Sequence, residues 1–397
     1  MNLFQNEYIK IFQEFTDESE EVDHEKVNEK YQKGEVRIVT EQGRFQLTTV
    51  QSIVESEDYI LDPEFQRRHR WSIEKKSRLL ESFIMNVPIP PIFLYEVDYS
   101  VYEVMDGLQR LTALYEFYSD GFALEGLEEW PELNGLKYLE LPSQVRRGID
   151  RRYLSSMILL KETARSEIEE QRLKQLVFER INSGGERLED QEKRNALYNG
   201  PLNRLCSELS RNEYFCWMWG IPQRTDEELG GEISKELTEN PLYRKMQDVE
   251  LVLRFFAFRH IDQWERVSLT RFLDLFLQKG NLLPNDVFKQ YEELFNDTSK
   301  LAYQLFQEEA FCLYRKRNNK WIMYNRPTKV VYDPIMYVLS SYIANKEHFI
   351  EQREKIKEDI LEFYQENYET FGGRNTGKND VLTRIKLFDE FFSRYIG

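Results

Sequence analysis

Tyr102-Glu103-Val104-Met105-Asp106-Gly107-Leu108-Gln109-Arg110-Leu111-Thr112 is the stretch on which the reading of this chain turns. Residues 101–105 read as a strand. Asp106-Gly107 ends it, and a helix opens at once with Leu111, Leu114, Tyr115 and Tyr118 on its apolar face. A helix start leaves backbone N–H groups unpaired and carries partial positive charge. Glycine there lets a phosphate approach the backbone, and the Arg110 guanidinium forks toward phosphate oxygens. Asp106 suits a magnesium ion or a water, and Gln109 suits positioning an attacking water. The same residues also fit an ordinary strand–turn–helix, with Asp106 as N-cap, Gly107 in the turn and Arg110 on the surface. At this level both readings stand.

Working outward toward the N-terminus, residues 92–97 pair with 101–105 as a hairpin. Val87-Pro88-Ile89-Pro90-Pro91 stops a preceding helix that Ser72 caps, with Glu74 in its first turn and Ile73, Leu79, Leu80, Phe83 and Ile84 on its apolar face. Before it, Gln66-Arg67-Arg68-His69-Arg70-Trp71 places four cationic or ionisable groups in one irregular stretch, either an anion site or a solvated basic loop. Residues 36–40 and 45–50 read as two strands of a hairpin around Glu41-Gln42-Gly43-Arg44. Phe4, Tyr8, Ile11, Phe12 and Phe15 recur at helical spacing, so residues 1–34 read as a helical arm running into an acidic linker.

Toward the C-terminus, residues 154–160 read as a strand and a helix runs from about 166 to 181. It ends in Asn182-Ser183-Gly184-Gly185, a C-cap and turn, or a nest of amides for an anion. The next helix, 189–198, carries Glu192-Lys193-Arg194-Asn195, read as a solvated face or as added charge for the same cleft. It stops at Asn199-Gly200-Pro201, where the domain boundary is placed. The domains expected are thus 1–34, 35–200 and 201–397. The last reads as helices throughout: 202–219, 247–259, 269–277, 286–308, 333–343, 348–367 and 381–396. Its dense aromatics (Phe255, Phe256, Phe258, Phe388, Phe391, Phe392, Tyr395) read as core or interface.

Composition bounds the function. With 397 residues, 70 acidic against 54 basic and a net charge of −16, the chain is no sequence-blind DNA coater, whose affinity rests on phosphate neutralisation. At 41% hydrophobic and 14% aromatic it is not a disordered chain. No run of about 18 apolar residues marks a membrane span, and Glu7, Lys10 and Glu14 do not fit a signal peptide. Cys206, Cys216 and Cys312 are odd in number and widely spaced, which fits a reducing cytoplasm rather than a disulfide framework. His24, His69, His260 and His348 form no metal motif, and His260 and His348 read as helix histidines in apolar contexts.

Four motifs now stand in one order: Phe65-Gln66-Arg67 with Trp71; Pro88-Ile89-Pro90-Pro91-Ile92; Asp106 to Leu111; and Arg180 to Gly185 with Leu188, Gln191-Glu192 and Arg194-Asn195. In this the chain resembles the GmrSD-type N-terminal domain family over about residues 35–200. The resemblance implies an α+β fold, a ParB/sulfiredoxin-like N-terminal domain followed by a mainly α-helical C-terminal domain. It implies nucleotide hydrolysis coupled to DNA cleavage in modification-dependent restriction. Asp106, Gly107, Gln109 and Arg110 match the family's D-G-Q-Q-R signature, with Leu108 in place of its first glutamine. Arg67 matches the Q-R element, and Asn182, Gly184 and Gly185 match N-[ST]-G-G. The HNH-type nuclease that many relatives carry has no His-Asn or paired-His counterpart here.

The expectation is a cytoplasmic nucleotide-binding, NTP-hydrolysing component of an anti-phage or restriction-type system. Asp106, Gln109 and Arg110 are the catalytic candidates. Gln66, Arg67, Arg68, Gly107, Arg110, Asn182, Gly184 and Gly185 are the phosphate-binding candidates, and Asp106 is the ligand for Mg2+ brought with the triphosphate. Expected partners are a nucleoside triphosphate, DNA, a separate nuclease or effector protein, and a second copy of the chain, with no membrane. Two alternatives remain: a ParB-like DNA-binding or DNA-cleaving module using the same pocket, and a non-enzymatic interaction or antitoxin-like scaffold with its interface on the aromatic helical half.

Overall fold

The structure, a computed structural model, describes residues 3–11, 24–33, 38–61, 68, 71–161, 167–181, 189–225, 228, 233–372 and 377–396. The chain folds as two compact units, one of residues 16–188 and one of residues 1–15 with 189–397.

The first unit is built on a five-stranded sheet of order β1-β5-β3-β4-β2. Its strands are β1 (Thr40–Gln46), β2 (Tyr59–Ile60), β3 (Ile92–Asp98), β4 (Val101–Asp106) and β5 (Tyr153–Leu159). β1–β5 and β3–β4 are antiparallel, β3–β5 and β2–β4 parallel. Its helices are α1 (His24–Lys33), α2 (Val50–Glu55), α3 (Ile73–Met85), α4 (Leu108–Tyr118), α5 (Ser143–Asp150) and α6 (Glu167–Ile181). The β3–β4 hairpin and α4 form where the sequence places them. Ser72 Oγ accepts from the Lys75 amide at 3.3 Å and starts α3, which Asn86 ends at φ 61° ahead of the proline run. Leu79, Leu80 and Phe83 of α3 pack with Leu94, Leu111, Leu114, Phe117 and Leu154 in one core. Ile73, expected on the same face, is exposed.

The hairpin expected around Glu41-Gln42-Gly43-Arg44 does not form. Those residues lie inside the single strand β1, which pairs along its length with β5. Gly43 faces Ser156, whose Oγ would come within 2.4 Å of a Cβ at that position. The glycine serves close strand approach, not a turn. Residues 47–49 then form a 3-10 turn leading into α2.

The second unit is mainly helical. Its longer helices are α7 (Asp190–Leu197), α8 (Pro201–Leu209), α9 (Glu213–Trp219), α10 (Gln247–Phe258), α11 (Leu269–Gly280), α12 (Asn285–Phe306), α13 (Lys329–Ser341), α14 (Arg353–Glu366) and α15 (Lys378–Phe392). The α+β class with a helical C-terminal region is thus as expected. Two differences are local. The expected helix 202–219 breaks at Asn212, whose Oδ1 accepts from the Phe215 amide at 3.0 Å and restarts the chain as α9. Between α12 and α13 runs an antiparallel hairpin, β6 (Cys312–Arg317) and β7 (Lys320–Pro327), turned by Asn318 and Asn319 at φ 49° and 61°. The aromatics are core: Phe256 stacks on Tyr291 at 4.3 Å, and Phe388, Phe391 and Phe392 are buried together. The three cysteines are free and buried. His348 is exposed on a short helix, Lys346–Glu351, not in an apolar setting.

The N-terminal segment departs most from expectation. Residues 3–11 are not helical. Glu7, Ile9 and Ile11 are buried while Tyr8 and Lys10 are exposed, the period of extended chain. Non-local contacts hold it: Gln263 Nε2 donates to the Ile9 carbonyl at 2.9 Å, and Gln263 Oε1 accepts from the Ile11 amide at 3.0 Å. Glu7 accepts from Arg259 Nε at 2.6 Å and from the Tyr291 hydroxyl at 2.9 Å, with His260 Nε2 at 3.3 Å. Burial alone would raise the Glu7 carboxyl. Hydrogen bonds and charge from Arg259, with the His260 ring close by, more than offset it and bring it from 4.5 to about 2. A lowered folded-state value means that the stabilisation is present above pH 4.5 and is lost as pH falls toward 2. Glu7→Gln is therefore expected to destabilise the chain at neutral pH and to flatten its acid limb in that window. Melts from pH 7 to 2 check this, and an unchanged acid limb would refute it.

Residues 12–23 lie outside the described ones. The two units part between Leu188 and Glu189, ahead of the expected boundary at residue 200, so α7 belongs to the helical unit.

Candidate functional site

β4 delivers Asp106 to the end of the sheet, paired opposite Phe93. Gly107 follows at φ +96° and serves as N-cap of α4, and its carbonyl accepts from the Arg110 and Leu111 amides at 3.0 Å. A Cβ on Gly107 would come within 2.4 Å of Ile92 Cγ2 and 2.9 Å of Arg110 Nη2. Glycine is required here twice, for its backbone angle and for the closeness of β3. Gly107→Ala is expected to cost roughly 1–3 kcal/mol and to push the Arg110 head out of place. A thermal melt measures the first effect, and an unchanged midpoint would show that the turn relaxes freely.

Arg110 lies one turn into α4 and folds back. Its Nη2 donates to Asp106 Oδ2 at 2.7 Å and to the Pro91 carbonyl at 3.2 Å, while its Nε is buried with no hydrogen-bond partner among the described residues. The Asp106 side chain keeps 35% of its exposure. The surface-arginine reading of Arg110 is thus replaced by a guanidinium held between a carboxylate and a backbone carbonyl. Gln109 accepts from the Trp71 amide through Oε1 at 3.3 Å, and its Nε2 is buried without a partner among the described residues. With Oε1 committed, Gln109 offers a donor and no base. Its chemistry is to hold an oxygen, of a phosphate or a water, rather than to take a proton. Leu108, at the place of the missing glutamine, is buried with Leu111 in the core.

Two supporting groups escape a residue-by-residue reading. The Pro91 carbonyl and the Trp71 amide are backbone atoms, and only their places in the Pro88–Ile92 and Gln66–Trp71 motifs hint at them. Trp71, a spectator in the basic-loop reading, also takes Lys75 Nζ over its ring at 4.9 Å.

The structure brings together Asp106, Gly107, Gln109 and Arg110. Gln66, Arg67, Asn182, Gly184 and Gly185 lie outside the described residues. Arg68 is described and is buried, which excludes a solvated side chain for it. Among the described residues no group of three His, Cys, Asp or Glu side chains could hold a metal. Asp106 alone fits Mg2+ only as magnesium usually binds nucleotides, through one or two carboxylates with substrate phosphates completing the shell.

The Glu192–Asn195 quartet is not a solvated face. Glu192, Arg194 and Asn195 are buried in the helical unit. Arg194 donates to Asp274 at 2.8 Å, Glu250 at 3.1 Å, Gln191 at 3.2 Å and the Thr270 carbonyl at 3.2 Å. Asn203 Nδ2 donates to Asn195 Oδ1 at 2.7 Å. These motif positions anchor α7.

No helix among the described residues is long and apolar enough to cross a membrane. No curated protein and no solved structure matches the chain. Residues 50–199 match the family model described as GmrSD restriction endonuclease, N-terminal domain, a span that takes in α2 to α7 and with them the Asp106–Arg110 helix start. Over residues 50–199 the chain is therefore similar to the GmrSD-type N-terminal domain.

Proposed function

We propose that the protein is the nucleotide-binding, NTP-hydrolysing component of a restriction-type defence system. The family indicates the defence context. One observation carries the finer reading: at a glycine-opened helix start, Arg110 Nε and Gln109 Nε2 are buried donors without partners among the described residues, and Arg110 is paired with a partly exposed carboxylate. Buried polar groups are normally satisfied, and a pair left open at one site marks a place for an acceptor-rich ligand. A phosphate fits, since the α4 N-terminus and the Arg110 charge both favour an anion.

In this reading Arg110 takes charge from the phosphate oxygens, Gly107 allows their approach to the backbone, and Gln109 holds an oxygen in line. Asp106 orients water and accepts the magnesium that accompanies the triphosphate, the chemistry that ion supplies being charge neutralisation. A panel of purine and pyrimidine triphosphates, with and without magnesium, followed by thermal shift and then by phosphate release with and without DNA, tests it. A raised melting temperature for at least one triphosphate is expected, and no binding of any would overturn the proposal.

A further inference from the structure

A concavity lies in the sheet unit, and none of Asp106, Gly107, Gln109 or Arg110 lines it. It is a cleft of about 410 Å³ between the end of α3 and the start of β5, and Arg44, Asn86, Pro88, Arg151, Arg152 and Tyr153 are among its walls. No aspartate or glutamate lines it, in a chain with 70 acidic residues. Arg152 is pinned: its Nε donates to the Phe83 carbonyl at 3.1 Å and its Nη2 to the Ile84 carbonyl at 3.5 Å, at the C-terminal end of α3. Arg44 lies over the Tyr153 ring at 5.0 Å. Arg151 is exposed just past α5, and Arg147, one turn earlier, is exposed in the last turn of that helix.

What sets these arginines apart is their lack of counter-charge. Lys76, Arg78, Arg110, Lys161 and Lys174 of the same unit each meet a carboxylate. Among the described residues none lies at ion-pair distance from Arg44, Arg147, Arg151 or Arg152. The acid nearest in sequence, Asp150, turns its Oδ1 to the hydroxyls of Tyr118 at 3.3 Å and Tyr138 at 3.0 Å instead. An uncompensated cluster of this kind raises the local positive potential inside an acidic protein.

We propose that this cleft and the arginines running from it along α5 bind the phosphate backbone of a DNA strand. The cations extend past the cleft to Arg147, so the site is a track rather than a single pocket. A repeating anion fills a track, and a mononucleotide fills only the cleft. Guanidinium forks suit phosphodiester oxygens, and the pinned Arg152 gives the track a fixed end. The net charge of −16 argued against indiscriminate DNA coating. A confined track is compatible with it, because the acids are excluded from this one wall. This proposal stands on residues separate from the Asp106 set and does not depend on the nucleotide reading.

The test is fluorescence anisotropy of the full chain with a short labelled DNA duplex and its single strand, at salt from about 50 to 200 mM. The triple variant Arg44→Ala, Arg147→Ala, Arg151→Ala removes exposed arginines that hold no ion pair, so its melting temperature should stay near that of the parent. It is expected to bind DNA at least about tenfold more weakly, with the slope of log affinity against log salt reduced by about one per arginine. Triphosphate binding should be unchanged. Asp106→Ala should leave DNA binding intact, which separates this proposal from the nucleotide reading. No DNA binding by the parent chain, or an unchanged slope in the triple variant, would overturn the proposal. So would loss of triphosphate binding with DNA binding retained, which would assign the cleft to a free phosphate instead.

Discussion

Arg110→Ala is expected to lower triphosphate turnover by roughly 10³-fold or more, the scale of a lost transition-state arginine, and to weaken triphosphate binding while leaving the fold nearly untouched. The guanidinium reaches both the Pro91 carbonyl and Asp106 from a fixed point on α4, so its position is set before any ligand arrives. Preorganised charge of this kind acts without reorganisation at the moment of reaction. The stability cost is small because Asp106 is about one-third exposed and takes up water when its partner is removed. A pair screened in this way contributes only ~0–1 kcal/mol. Arg110→Lys is the sharper variant. It keeps the charge and loses the fork, and a lysine cannot hold both oxygens with its position fixed. It should stay impaired. Steady-state phosphate release with a parallel melt decides the matter, and turnover within twofold of the parent for Arg110→Ala would remove Arg110 from the reaction.

The largest effect on stability is expected at Arg194. Its side chain is 1% exposed and faces Asp274 and Glu250 on two other helices. Glu250 is pulled against the rise that burial imposes, by Lys329 first and then by Arg194, to about 2. Asp274 is raised by burial even with Arg194 pulling it down. Arg194→Ala leaves both carboxylates short of a partner in a buried place. Breaking such a pair costs ~3–5 kcal/mol, which for a unit of this size lowers the melting temperature by roughly 10 °C. Pairing Arg194→Met with Asp274→Leu should recover part of the loss, because removing both partners avoids an unpaired buried charge. A single variant that melts with the parent would mean that the network is hydrated and contributes little.

The two variants bear on one family pattern in different ways. Arg110 and Arg194 both fall within residues 50–199, and in sequence both look like cations for one cleft. The structure gives the first an open guanidinium at a helix start and the second a saturated one. Nothing in the spacing of Glu192-Lys193-Arg194-Asn195 marks Arg194 as an anchoring arginine, because the acids that claim it lie 56 and 80 residues away.

By itself the sequence determined the elements whose causes are local. The Ser72 cap, the stop at Asn86 before the prolines, the β3–β4 hairpin and the glycine-opened start of α4 all rest on interactions within a few residues. Side-chain caps, backbone angles and side-chain period are written into such short windows. The tertiary structure decided the rest. Residues 3–11 carry helical spacing and run extended, because Gln263 satisfies the Ile9 carbonyl and the Ile11 amide that a helix would otherwise pair, and Arg259 holds the Glu7 carboxylate. Gly43 reads as a turn and lies flat in a strand, because Ser156 passes within reach of the missing Cβ. Arg44 and Arg151 look like ordinary surface charge in sequence, and only the closing of β1 onto β5 gathers them on one wall. In each case the deciding partner stands about a hundred residues or more away, where no sequence period reaches and only packing brings the groups together.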